Sequence, residues 1–205
     1  LLRGEIKLPS ITISNANISL VKMKNGYANT SIIRKRDPNS KEPATSSSSL
    51  NASVNKVILK NAVFSMVDSV KNKWFSIQFK NISSDIVNLP EMLNAKIEGN
   101  LHFGGLSFNA EKGSYLTNKS CDVDLTIQFD TKTNTLHINR SSLNIDGSKF
   151  LLRGEFQFNE KPHMHLEIDA PEITVALANT IVTQHIASKL ATFNFQNPLI
   201  AGIRI

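Results

Sequence analysis

Two histidines one residue apart, His163 and His165, would project to the same side of a β-strand, a spacing at which two imidazoles could share a metal ion. No third ligand stands near them at a suitable spacing, so no metal site is expected. Asp122 and Asp124 share a strand face in the same way. Such a pair could do acid–base work, but on an outward face it is ordinarily just solvated. His102, His137 and His185 fall on other elements, and no serine, histidine and acid stand together in a nucleophile setting. No glycine-rich loop runs into a helix to hold a phosphate. Cys121 is the single cysteine. It can close no intrachain disulfide and build no thiolate cage, and it is expected as a core thiol. The reading is therefore of a protein that is not an enzyme, with no catalytic residue, metal or cofactor assigned.

The elements that hold these residues alternate apolar and polar side chains with period two, the pattern of strands that bury one face and wet the other. Phe75, Ile77 and Phe79 alternate with Ser76, Gln78 and Lys80, and Cys121, Val123, Leu125, Ile127 and Phe129 with Asp122, Asp124, Thr126 and Gln128. Phe150, Leu152, Gly154, Phe156 and Phe158 do the same around Arg153, Glu155 and Gln157. Turn chemistry separates the runs at Asn25-Gly26, Glu111-Lys112-Gly113, Asp130 to Asn134 and Asp146-Gly147-Ser148, which predicts an antiparallel meander. The apolar parity shifts at Gly104-Gly105 and at Ser141-Ser142, where a bulge would return the side chains to one face and curve the sheet.

One segment has helical spacing: Ile173, Leu177, Ile181, Val182, Ile186 and Leu190 follow Pro171 and Glu172, which suit a first turn. An amphipathic C-terminal helix is expected there. Residues 34–53, rich in Pro, Ser and Lys, show no period and predict a flexible insertion loop within a single domain spanning residues 1–205. Leu1-Leu2-Arg3-Gly4-Glu5-Ile6 recurs as Leu151-Leu152-Arg153-Gly154-Glu155-Phe156, a short echo of the kind that repeated hairpin units leave.

With 40% hydrophobic and 20% charged residues in 205, the chain can bury a core and is not disordered. The net charge of +6 is scattered, apart from the run Arg34-Lys35-Arg36, which reads as a solvated loop. No nucleic-acid partner is expected. No stretch reaches the roughly 18 apolar residues of a membrane-spanning helix. The beginning and end of the sequence read as the interior of something longer, so an anchor or export signal is expected outside it. Asn-x-Ser sequons at Asn17, Asn29, Asn51, Asn81, Asn118 and Asn139 arise readily by chance in a chain so rich in Asn and Ser.

The pattern poses a physical problem. One sheet face would carry Val57, Leu59, Phe64, Met66, Phe75, Ile77, Phe79, Leu101, Phe103, Leu125, Ile127, Phe129, Leu152, Phe156 and Phe158. A helix of about twenty residues is about 30 Å long and covers only a few strands. Either the sheet closes on itself and fills its own core, or it stays open as a groove or partly open barrel that shelters an apolar ligand.

The order of elements resembles the AsmA family of Gram-negative bacteria, in particular members of the Bacteroidetes type. The resemblance rests on the strand Ile11 to Met23, then Asn25-Gly26-Tyr27-Ala28-Asn29, a variable basic and polar loop, and Val57-Ile58-Leu59-Lys60-Asn61-Ala62-Val63-Phe64 ending near Asp68. It continues through Phe150 to Phe158 and Leu166-Glu167-Ile168-Asp169-Ala170-Pro171-Glu172-Ile173 leading into the helix. It implies a curved β-groove held at the inner membrane through a segment outside this chain and reaching into the periplasm. The implied partner is phospholipid or another acyl-chain lipid, in outer-membrane biogenesis or lipid homeostasis. The family gives no active-site residues to carry over, so the expected groove lining is the fifteen apolar positions read from the alternation. The other reading of the residues is a structural or interaction β-module of the cell envelope with a self-filled core.

Overall fold

A computed structural model of the chain describes residues 6–29, 52–159, 163–196 and 198–204. The alternating runs form twelve strands: β1 (Ile6–Leu8), β2 (Ile11–Ser14), β3 (Asn17–Lys22), β4 (Ala52–Val54), β5 (Lys56–Asp68), β6 (Lys73–Leu89), β7 (Met92–Ser107), β8 (Lys119–Asp130), β9 (Thr135–Ile145), β10 (Ser148–Gln157), β11 (His163–Ile173) and β12 (Leu199–Arg204). Two helices, α1 (Val175–Ile181) and α2 (Gln184–Leu190), lie between β11 and β12. Strands β5 to β12 are consecutive antiparallel neighbours in one ten-stranded sheet that is not closed, and β2 and β3 complete it beside β5.

The turns explain the meander. Asp146 and Gly147 both adopt positive φ (47° and 86°) between the paired residues Ile145 and Ser148. That is the two-residue hairpin whose twist matches its strands. The Asp130 carboxylate accepts hydrogen bonds from the amides of Lys132 and Thr133, and Asp68 does the same for Val70 and Lys71, so each side chain closes its own turn. Both expected parity shifts are bulges. The β6–β7 register slips at Ser76/Ile77 opposite Gly104, and the β8–β9 register slips between Asp124 and Ile127. At the second, the Ser141 hydroxyl accepts from the Thr126 amide, a backbone donor that the bulge leaves without its ladder partner.

Three expectations are corrected. The sheet is mixed: β2 and β3 run parallel to β5. Alternation is identical in both senses, so the sequence pattern could not distinguish them. The single helix is two helices of seven residues each, broken at Val182 and Thr183, and Pro171 to Ile173 still belong to β11. Thr174 caps α1 through its side-chain oxygen, which accepts from the Leu177 amide. Of the expected loop, residues 34–51 lie outside the described residues, while Ala52 and Ser53 open β4, which pairs in parallel with β1. In the echo, residues 1–5 also lie outside the described residues. Ile6 stands in that small β1–β4 sheet, whereas Phe156 stands in the large one.

The parallel pair contains an internal duplication. At one constant offset, Ile11-x-Ile13-x-Asn15-Ala16-x-Ile18-Ser19-x-Val21 lies against Val57-x-Leu59-x-Asn61-Ala62-x-Phe64-Ser65-x-Val67. Asn15 (φ 54°) and Asn61 (φ 50°) both take the left-handed conformation, which short polar side chains tolerate best after glycine. Each shifts the alternation by one residue, so apolar side chains on either side of it return to the same face. In β6 the extra residue between Phe79 and Asn81 does likewise, opposite Asn100 and Leu101.

Candidate functional site

Cross-strand pairs in an antiparallel ladder share a face, so the register assigns the apolar side directly. One row crosses the sheet as Leu59, Ile82, Gly99, Val123, Leu143 and Phe150, and the next as Val57, Ser84, Ile97 and Leu125. On the side toward the β7–β8 connection, Ala62, Phe79, Leu101, Cys121 and Ile145 follow, then Phe64, Ile77 and Phe103. Toward the opposite side come Ala95, Ile127, Ile138 and Gly154, then Leu93, Phe129, Leu136, Phe156 and Met164. The face is therefore apolar over most of its width.

What covers it is partial. Leu177, Ala178 and Ile181 of α1, with Leu116 and Leu199, pack on the buried cluster of Ile82, Leu101, Phe103, Cys121, Val123, Ile145, Phe150, Ala170 and Ile173. The Leu116 amide donates to the Ile181 carbonyl and ties the β7–β8 connection to α1. Beside this covered part lies a depression of about 280 Å³ lined by Val57, Leu59, Phe79, Ile82, Ser84, Ile97, Leu101, Val123 and Leu125. Among the described residues Ser84 is its one hydroxyl. Toward the β2 and β3 edge, Ile11, Ile13 and Ile18 stay 36–47% exposed, so the apolar surface reaches that edge.

Of the expected lining residues, Val57, Leu59, Phe79, Leu101 and Leu125 surround the depression. Phe103 is buried, and Ile77 and Leu152 pack against the core. Phe64, Met66 and Phe75 lie on the same face, paired in the β5–β6 ladder, and Phe75 meets Phe108 edge to face at 5.2 Å between centroids. Ile127, Phe129 and Phe156 are half-buried and well away from α1 along their strands. Phe158 lies just past the end of β10 and is 60% exposed. Three apolar lining residues were not expected: Ile82, Ile97 and Val123. Plain alternation in Leu93-x-Ala95-x-Ile97 and in the Val123 run carried the last two, while Ile82 was hidden by the shift next to Lys80.

The residues with chemical potential lie elsewhere. Asp122 and Asp124 are exposed on the opposite face, where Asn100 donates to Asp122. His163 and His165 are exposed on β11, and His165 Nε2 lies 3.2 Å from Glu167. Glu167 also binds Arg153 and faces Arg204 at 3.8 Å. The Arg153 guanidinium, then His165 and Arg204, hold its carboxyl below the usual glutamate range. His137 pairs with Glu155 at 3.4 Å, His102 faces Ser120, and His185 is exposed on α2. Burial, reinforced by the neighbouring Asp122 carboxylate, pushes the Cys121 thiol up to about 12. Among the described residues no three of His, Cys, Asp and Glu gather in a metal-binding group. A depression of about 470 Å³ on the polar face, at the β9 bulge, mixes Arg140, Lys149 and Arg153 with Asp124 and Asp169. Its charges of both signs offset one another across an open surface.

A scan against protein-family models finds no match, and searches of curated proteins and of solved structures return no relative. No helix among the described residues is long and apolar enough to cross a membrane.

Proposed function

We propose that the uncovered part of the apolar face binds the acyl chain of a lipid and that the chain is a lipid-handling segment of a Gram-negative envelope protein, as its likeness to the AsmA family implies. The observation that carries this reading is the depression from Val57 to Leu125, apolar except for Ser84, which α1 adjoins without filling. Each methylene that leaves water there contributes about 0.8 kcal/mol, so an acyl chain can be held without a charged pocket. Head groups remain in water, which agrees with the absence of a cationic residue from the lining among the described residues. On this reading the protein works in the periplasm, held at the inner membrane through a segment outside this chain, and contributes to outer-membrane lipid homeostasis. The bulges at Ser141 and opposite Gly104, with the shifts at Asn15, Asn61 and Lys80, bend the strands and favour a groove over a flat sheet.

Native mass spectrometry of gently purified protein tests this. Co-purified or exchangeable phospholipid is expected, and Leu125→Asp should abolish it while the fold persists. Consistent absence of lipid from the folded wild type would reject the reading. It would favour instead an envelope interaction module pairing through an edge such as β12, where Ile200 is 87% exposed.

A further inference from the structure

We propose that the tip formed by Phe193 and Phe195, just after α2, docks the protein on an anionic phospholipid bilayer. This rests on the acyl-chain reading and names where the lipid would be met. Three observations carry it. First, Phe193 is 63% exposed and Phe195 39%, and their rings lean on each other with centroids 5.6 Å apart. A lone exposed aromatic is unremarkable, but two in contact just after α2 form a compact apolar wedge. Second, the residues next to them in sequence, Thr192, Asn194 and Gln196, are polar but uncharged, which suits shallow insertion among head groups. Third, residues 173–205 contain no Asp or Glu, whereas Lys189 stands in the last turn of α2, His185 is exposed one turn earlier, and Arg204 ends β12.

Among the described residues, the carboxylate nearest in sequence on the N-terminal side of the two helices is the exposed Glu172, at the end of β11 before α1, whereas Lys189 stands only four residues before Phe193. The connection that reaches α2, where Gly113 approaches Thr183 and Gln184, carries Glu111 beside Lys112, a neutral pair. Arg204 is shared with Glu167 and Asp169, which leaves Lys189 as the cation nearest the tip in sequence. The bilayer contact thus combines an aromatic wedge with modest electrostatic attraction, and it is expected to be reversible and weakened by salt.

The test uses the whole chain and extruded vesicles of phosphatidylcholine, with and without phosphatidylglycerol. The wild type should co-sediment with the anionic vesicles and release in high salt. The double substitution Phe193→Ser/Phe195→Ser should bind at least about tenfold more weakly, since most of the apolar contact is gone, with an unchanged thermal transition. In a Trp74→Phe/Phe193→Trp variant, tryptophan emission should move to the blue on adding the anionic vesicles. Undiminished sedimentation of the serine variant, or emission that vesicles do not move, would overturn the proposal. Binding of a dansylated fatty acid without vesicles is measured in parallel. If it persists while vesicle binding fails, only the docking site is wrong; if it too is absent, the acyl-chain reading falls with it.

Discussion

Single residues set which face the side chains of this sheet take. Asn15 and Asn61 occupy the left-handed region and turn the apolar side chains of β2, β3 and β5 back to one face. Asn61→Gly should be tolerated, whereas Asn61→Val should cost about 1–2 kcal/mol, because a β-branched residue resists positive φ; urea denaturation reads the difference. Gly99 combines φ of 140° with the Asn81 carbonyl standing where a Cβ would project, so Gly99→Ala should be worse than the Asn61 change. Cys121, with its thiol pushed up to about 12 by burial, should react far more slowly with a thiol reagent at pH 8 than the urea-unfolded chain does. Equal rates would place it outside the core. Glu167 offers a pH test. Its folded carboxyl titrates lower than in the unfolded chain, so its stabilisation is present above the unfolded pKa and lost as pH falls through the lowered folded one. Glu167→Gln should therefore be less stable than wild type at neutral pH and approach it in acid, as measured by denaturant titrations at both.

At the scale of elements, the sequence announced strands far better than it announced their partners. Turn residues such as Asp130 and Asp146-Gly147 close their turns by local chemistry and were legible for that reason. The Ser141-Ser142 shift was legible too, and its logic is specific: replacing Ser141 by Val should cost about 1 kcal/mol, since the Thr126 amide would lose its acceptor in a part-buried bulge. A variant as stable as wild type in chemical denaturation would show that water substitutes for the hydroxyl. The parallel pairing of β2 and β3 with β5 was not legible from alternation. The repeated Asn-Ala-x-apolar-Ser-x-Val pattern that aligns them was a usable signal, yet it is visible only when the two segments are set side by side. The break between α1 and α2 escaped because Ile181, Val182 and Ile186 keep an apolar period across it, while the capping position of Thr183 is a backbone property.

At the scale of the molecule, an open ten-stranded sheet presents more apolar surface than two seven-residue helices cover. The sequence predicted that imbalance from the number of apolar strand positions against one helix, and five of its fifteen expected lining residues, Val57, Leu59, Phe79, Leu101 and Leu125, meet around one depression. The others are spread along the same ladders, in the covered core or toward the strand ends, because alternation assigns a face but not the position of the cover. The central claim is that the uncovered part of this face receives an acyl chain. Its most direct test is photo-crosslinking from a benzoylphenylalanine at Ile97, which lines the depression, compared with one at Lys96, its neighbour on the opposite face, each mixed with palmitic acid. Mass spectrometry should find a fatty-acid adduct from position 97 and none from position 96. Equal labelling at both, or none at 97 in a folded protein, would contradict the account.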